Sequence, residues 1–214
     1  MKRLPIGIQN ISEILTEGYV YVDKTHFAHQ LIKNGKHYFL SRPRRFGKSL
    51  FLSTLKAIFQ GKKGIFKDCA IYRSSYDWKP HPVVAMDFFK LANRDPEELE
   101  GSLKRSLQRV AAAHGFSIDA LTVQEGLEDL VVQLYHKHDQ RRVVILVDEY
   151  DKPIIDNLTN PEVAIANRRL FRDFFGMLKS LDEYIRFTFI TGISRFAKVF
   201  LFSEANNLDD ITLG

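Results

Sequence analysis

His37-Tyr38-Phe39-Leu40-Ser41-Arg42-Pro43-Arg44-Arg45-Phe46-Gly47-Lys48-Ser49-Leu50-Phe51-Leu52 is the stretch on which the fold turns. Its first five residues read as a short buried strand, and residues 48–59 as a helix whose Leu52, Leu55 and Phe59 share one face. Between strand and helix lies a basic turn. Its second half, Gly47-Lys48-Ser49, fits the closing part of a phosphate loop, G-x-x-x-x-G-K-[ST], at the strand-to-helix junction where that motif belongs. Gly47 lets the backbone turn tightly and bring N–H groups near phosphate oxygens, and the helix start adds its positive end. Lys48 reaches the outer phosphates, and the Ser49 hydroxyl can ligate Mg²⁺. Arg42 stands where the motif has its first glycine, and a basic solvated loop capping a helix is the plain alternative.

Downstream, helices and strands alternate. Gln60-Gly61 stops the first helix, and residues 82–88 (PVVAMDF) are the next strand. Residues 95–114 open with Asp95-Pro96-Glu97-Glu98, a cap, a first-turn proline and acids at the positive helix end, which predicts a helix closed by Gly115. Thr122 and Glu125 have capping-box spacing, and Leu127, Leu130, Val131 and Leu134 carry a second helix toward His138. Residues 142–147, apolar after the arginine, read as a central strand covered on both faces. Residues 161–181 are helical, with Leu170, Phe174 and Leu178 recurring every four residues, and residues 185–191 (IRFTFIT) form a strand ending at Gly192. This rhythm predicts an α/β fold with a parallel sheet, whose ligands sit beyond the carboxyl ends of the strands.

Polar residues gather at those ends. Asp148 and Glu149 close the strand Val143-Val144-Ile145-Leu146-Val147, and 148 − 48 = 100 residues separate Asp148 from the loop lysine. Phosphoryl transfer to water needs an acid that holds Mg²⁺ and a second group that orients or deprotonates the water. Asp148, with Ser49, suits the first task, and Glu149 the second. In isolation such acids also serve as helix caps or surface charge. After the last strand, Thr191 is placed to sense a γ-phosphate or hold the water, and Arg195 to bring positive charge to the transition state, in cis or toward a neighbouring subunit. A surface arginine is an equal reading of Arg195.

The whole chain sets the frame. Its 214 residues, 45% of them hydrophobic, supply an ordinary globular core and exclude disordered and fibrous classes. Lys and Arg number 31 against 26 Asp and Glu, a net charge of +5 that permits an anionic partner without naming one. One cysteine, Cys69, excludes an intrachain disulfide and a cysteine-based zinc cluster, which predicts a reducing cytoplasm. The basic start Met1-Lys2-Arg3 lacks an apolar run behind it, and the aliphatic run Val143 to Val147 is too short to span a bilayer, so no membrane association is expected. Without repeats, low-complexity tracts or linkers, one unit over residues 1–214 is the expectation.

The sequence resembles the predicted AAA-ATPase-like family of prokaryotic proteins, whose members often carry a C-terminal PD-(D/E)XK-type nuclease domain. The resemblance is carried by Leu4-Pro5-Ile6-Gly7-Ile8, Tyr21-Val22-Asp23-Lys24-Thr25, residues 39–49 (FLSRPRRFGKS), Val147-Asp148-Glu149-Tyr150-Asp151, Thr191-Gly192-Ile193-Ser194 and residues 202–208 (FSEANNL). In this family the loop has the form Arg-Pro-Arg-Arg-Phe-Gly-Lys-Ser, so Arg42 is a family trait. The resemblance implies a three-layer P-loop NTPase core with a parallel sheet of the additional-strand, AAA/RecA-like type, entered through residues 1–36. It implies ATP and Mg²⁺ as ligands, Lys48 and Ser49 in the Walker A role, and Asp148 and Glu149 in the Walker B role. The nucleotide-binding segment is then Arg44, Arg45, Phe46, Gly47, Lys48, Ser49 and Leu50. Relatives continue beyond Leu213-Gly214 into further helices and often the nuclease, so nuclease activity is not carried over, and the last strand and lid of the core are left in question. Asp23-Lys24-Thr25 is favoured as a helix cap over a base or ribose contact, and Tyr21 is a candidate neighbour of the adenine.

Three functional classes follow. The leading one is an ATPase or ATP-driven switch acting with a protein partner, an effector domain or further copies of the chain, and Glu149 favours it because a module that only binds has no need of an acid there. The second is a module that holds nucleotide without hydrolysis, or holds nucleic acid through Arg42, Arg44 and Arg45. Nucleic acid has thin support, because Arg141-Arg142 and Arg168-Arg169 are isolated pairs and Phe171, Phe174 and Phe175 sit at core-like helical spacing. The third is a metal nuclease on Asp148, Glu149 and Lys152, which leaves Gly47-Lys48-Ser49 unexplained.

Overall fold

Five strands run parallel through the centre of the molecule. In the computed structural model, which describes residues 2–194 and 208–212, they are β1 (His37–Ser41), β2 (Val83–Asp87), β3 (Val143–Asp148), β4 (Ile185–Gly192) and β5 (Asp209–Asp210). Their order across the sheet is β2-β3-β4-β1-β5. The strand in third place is therefore the fourth in sequence, inserted between the strand leading into the loop and the strand ending in the acids. That is the arrangement of an additional-strand P-loop core. The last strand, left in question by the sequence, is supplied by Asp209 and Asp210, which pair with Tyr38 and Phe39 of β1.

Helices cover both faces, as burial of a parallel sheet requires. On one side lie α1 (Ile11–Thr16), α2 (Thr25–Asn34) and α3 (Lys48–Phe59), whose Ile11, Ile32, Leu55 and Phe59 join Tyr38, Val144, Leu146, Phe187 and Phe189 in one apolar layer. On the other lie α4 (Pro96–Ala113), α5 (Val123–Lys137) and α7 (Pro161–Ser180), packed on Phe39, Val143, Ile145, Val147 and Ile190. A short α6 (Lys152–Ile155) follows β3. Residues 143–147 alternate between the two layers and are all buried, which is why β3 reads as an unbroken apolar run.

Local chemistry sets the helix starts. The Asp95 carboxylate accepts from the Glu98 N–H, and Thr122 and Glu125 complete the reciprocal capping box. On α7 the sequence stripe needs correction: Leu170 is only partly buried, while Asn167, Phe171, Phe174, Phe175 and Leu178 form the inward face. Among the described residues no helix is long and apolar enough to cross a membrane.

Candidate functional site

β1 delivers the chain into residues 42–47 and α3 takes it away. Two left-handed residues bend this loop, Arg45 at φ 68° and Gly47 at φ 74°. An added Cβ at Gly47 would meet nothing within 4 Å, so the conformation and not space calls for glycine there. No side chain caps α3, so the N–H groups of its first turn, from Lys48, Ser49 and Leu50, are available to an anion. Lys48 is buried, and its ammonium donates to the carbonyls of Arg42 (3.0 Å) and Pro43 (3.2 Å).

The inserted strand brings the other half within reach. Thr191 of β4 pairs with Leu40 of β1, and its buried hydroxyl donates to Oδ1 of Asp148 at the end of β3. Asp148 Oδ1 also accepts from the Glu149 N–H at 3.1 Å. Both hydrogen bonds fall on one carboxylate oxygen, Oδ1. Glu149 follows in the left-handed region at φ 51°, at a cost of about 1 kcal/mol for a non-glycine residue. Its Oε1 lies 3.4 Å from Lys48 Nζ, which joins the loop to the acids by an ion pair. Burial pushes the Glu149 carboxyl above its ordinary value against the opposing pull of Lys48, and neighbouring Asp148 pushes it the same way.

Arg44, Arg45, Gly47, Lys48, Ser49, Leu50, Asp148 and Glu149 line one cleft of about 690 Å³, large enough for a small ligand. Gly7, Ile8 and Gln9 form part of its wall, so residues 1–36 contribute to the site as well as lead into the core. The amide of Ile11 donates to Ser53 Oγ at 3.0 Å, which fastens α1 to α3 beside it. Phe46 points elsewhere, 64% exposed on the far side of the loop. Arg195 lies outside the described residues.

A match to the family described as Predicted AAA-ATPase covers residues 5–202. The chain belongs to this family. A curated relative from Azotobacter chroococcum mcd 1, named as an uncharacterized protein in the vnfD 5′ region, is 45% identical over 214 residues, covering 99% of this chain and 41% of the relative. The chain thus spans about two fifths of that relative's length. No solved structure matches it.

As a member of the AAA-ATPase-like family the chain is an ATPase-like, nucleotide-binding protein by kinship. Its structure also gives structural parts to residues for which the sequence suggested no role. Asp87 ends β2 directly opposite Asp148, lines the same cleft, and carries an ion pair to Lys90 at 3.1 Å. The strand-end rule that selects Asp148 would have selected Asp87. Tyr150 and Asp151 matter for another reason. The Tyr150 hydroxyl donates to the Ser194 carbonyl (2.7 Å), and the buried Asp151 carboxylate accepts from the N–H groups of Ile193 (3.0 Å) and Ser194 (2.6 Å). An added Cβ at Gly192 would stand 2.3 Å from the Tyr150 ring, so glycine is what lets β4 close against it. Tyr21 is partly buried against the apolar layer around α3, where burial raises its hydroxyl pKa. Asp23 accepts from the Thr25 N–H at 2.8 Å and the Ala70 N–H at 2.6 Å, which ties the start of α2 to Ala70, while Lys24 holds the N-cap position without a side-chain cap bond.

Proposed function

We propose that the chain is a magnesium-dependent ATP-binding domain that hydrolyses ATP, or switches with it, on behalf of a partner or an effector segment. The observation that carries the reading is one cleft shared by Gly47, Lys48, Ser49, Asp148 and Glu149, with Thr191 holding Asp148 from the strand between. The Ser49 hydroxyl and the Asp148 carboxylate are hard oxygen donors facing the same space, a donor set that fits Mg²⁺. The ion would neutralise phosphate charge when bound. Lys48 would exchange its bonds to the Arg42 and Pro43 carbonyls for phosphate oxygens, while the first-turn N–H groups of α3 hold the same group. Glu149 would orient the attacking water and accept its proton, and burial that raises its pKa makes it a better base. Thr191 is the proposed γ-phosphate sensor, and Arg195 the proposed source of transition-state charge.

The nuclease reading lacks support at Lys152, whose ammonium pairs with Asp156 and lies 5.1 Å over the Phe89 ring. Phe171, Phe174 and Phe175 on α7 are core, as their helical spacing suggested, and offer no stacking face for nucleic acid. The test is equilibrium binding of a slowly hydrolysed ATP analogue with Mg²⁺ to the wild type and to folded Lys48→Ala. Binding that falls about a hundredfold or more in the variant, comparable to losing a charged hydrogen-bonding partner, is the expected result. Equal binding by both proteins would overturn the loop assignment.

A further inference from the structure

The sheet ends on one side in an open edge. β2 is its outermost strand, beside β3, and the Pro82 carbonyl just before it turns inward to accept from the Val144 N–H at 2.9 Å. Main-chain groups alternate in direction along a strand, so Val83, Ala85 and Asp87 turn their N–H and C=O groups outward. Among the described residues no main-chain group pairs with them there, and Ala85, at the middle of the strand, is exposed. An edge of this kind accepts a further strand.

A groove of about 510 Å³ lies beside that edge, between β2 and α3. Its apolar part is aliphatic, made by Leu52 and Ala57 of α3 with Ala85 and Leu146 of the sheet. None of the described residues lining it is aromatic, which leaves a nucleic-acid strand nothing to stack on. One end of the groove, at Ser49, Asp87 and Asp148, is shared with the phosphate-loop cleft. Asp87 is already paired with Lys90 at that end, and Asp148 is held by Thr191. The other end, about 10 Å farther along α3, is cationic. Lys56 and Lys62 are exposed there, with no ion-pair partner among the described residues. We propose that this groove docks an extended acidic segment of a partner protein, which adds as a strand to β2 with aliphatic side chains on the groove floor and carboxylates at Lys56 and Lys62. Main-chain pairing supplies affinity, and the alternation of side chains along a strand supplies specificity. A segment lying there reaches the acids of the cleft, although the docking itself does not depend on what the cleft binds.

The experiment uses a panel of short fluorescein-labelled peptides that alternate aliphatic residues with glutamate. Their binding is measured by anisotropy beside peptides with lysine in place of glutamate and a single-stranded oligonucleotide. The expected result is saturable binding of a glutamate peptide, none of the lysine peptides, and a loss of affinity of about tenfold or more in Lys56→Glu/Lys62→Glu, where two attractions become repulsions. Both lysines are exposed, so folding is not at risk, and circular dichroism verifies it. Two further forms of the bound peptide carry N-methyl groups on alternate residues, one set in each form. One form should lose binding about tenfold or more and the other keep it, because only one set of N–H groups faces β2. Absence of binding by every glutamate peptide, equal affinity of the wild type and the double variant, or equal binding of the two N-methylated forms would overturn the docked strand. Oligonucleotide binding that falls in the double variant, with no glutamate peptide bound, would overturn it in favour of nucleic acid.

Discussion

The segments after β1 and after β3 meet at the same site but are built by opposite means. Residues 43–47 are exposed and shaped by two left-handed backbone positions. Residues 148–151 are fixed by side chains: Thr191 on Asp148, Tyr150 on Ser194, and buried Asp151 under the amides of Ile193 and Ser194. Backbone groups that can rotate toward an incoming anion suit a binding cradle. Side chains already locked by one another suit the group that must meet a water molecule in one orientation. Under the proposed function the difference makes binding and chemistry separable, and substitutions should part them.

The largest separation is expected at Glu149. Glu149→Gln should keep the binding of a Mg²⁺–ATP analogue while turnover falls about 10²- to 10⁴-fold, the usual weight of a general base. Steady-state phosphate release beside analogue binding checks this, and parallel loss of both would merge the two roles. The wild type should also lose turnover as pH falls through the raised Glu149 pKa, because only the carboxylate accepts a proton.

Thr191→Val should raise the Mg²⁺ concentration needed for half-maximal analogue binding about tenfold or more, since it removes the hydroxyl that orients Asp148. A magnesium titration at fixed analogue concentration reads this directly; an unshifted midpoint would make Thr191 a packing residue.

Asp151 acts on the rigid segment alone. Asp151→Ala should cost about 2–3 kcal/mol in urea unfolding, because two amide donors lose their acceptor. Burial raises the Asp151 pKa above its ordinary value despite those amides. The sign then follows: the folded state binds its proton more tightly than the unfolded chain, so this group's stabilisation is full below the unfolded pKa and is lost as pH rises through the folded one. Asp151→Asn should therefore flatten the fall in stability across that window, and an unchanged pH slope would remove Asp151 as its source.

The smallest effect belongs to the cradle. Gly47→Ala should cost about 1 kcal/mol of stability, from the left-handed φ and not from a clash. A loss several times larger would show that the loop is as tightly built as its partner.

These contrasts also explain what could be read in advance. The Gly47-Lys48-Ser49 turn, the buried run of β3 and the Thr122–Glu125 capping box are local patterns, each legible within about a dozen residues. The order of the strands came only through family resemblance, since periodicity does not say which strand lies beside which. The roles of residues that depend on that order stayed hidden. Asp87 gains meaning only opposite Asp148, and Asp151 only beneath Ile193 and Ser194. Tyr21, nearer in sequence to the other aromatics of the N-terminal segment than to α3, gave no sign that it would turn inward.

The insertion of β4 between β1 and β3 has a further consequence for how this sequence can change. The gap between loop and acids is set by main-chain pairing, Leu40 with Thr191 on one side and Val147 with Ile190 on the other. A strand that slipped by one position would exchange side chains between the two apolar layers and unseat the packing of both, so that gap behaves as a fixed gauge. Side chains in the two apolar layers can then be exchanged over generations with some loss of stability and little change in the spacing of the reacting groups. The layout shelters the chemistry from drift in the core.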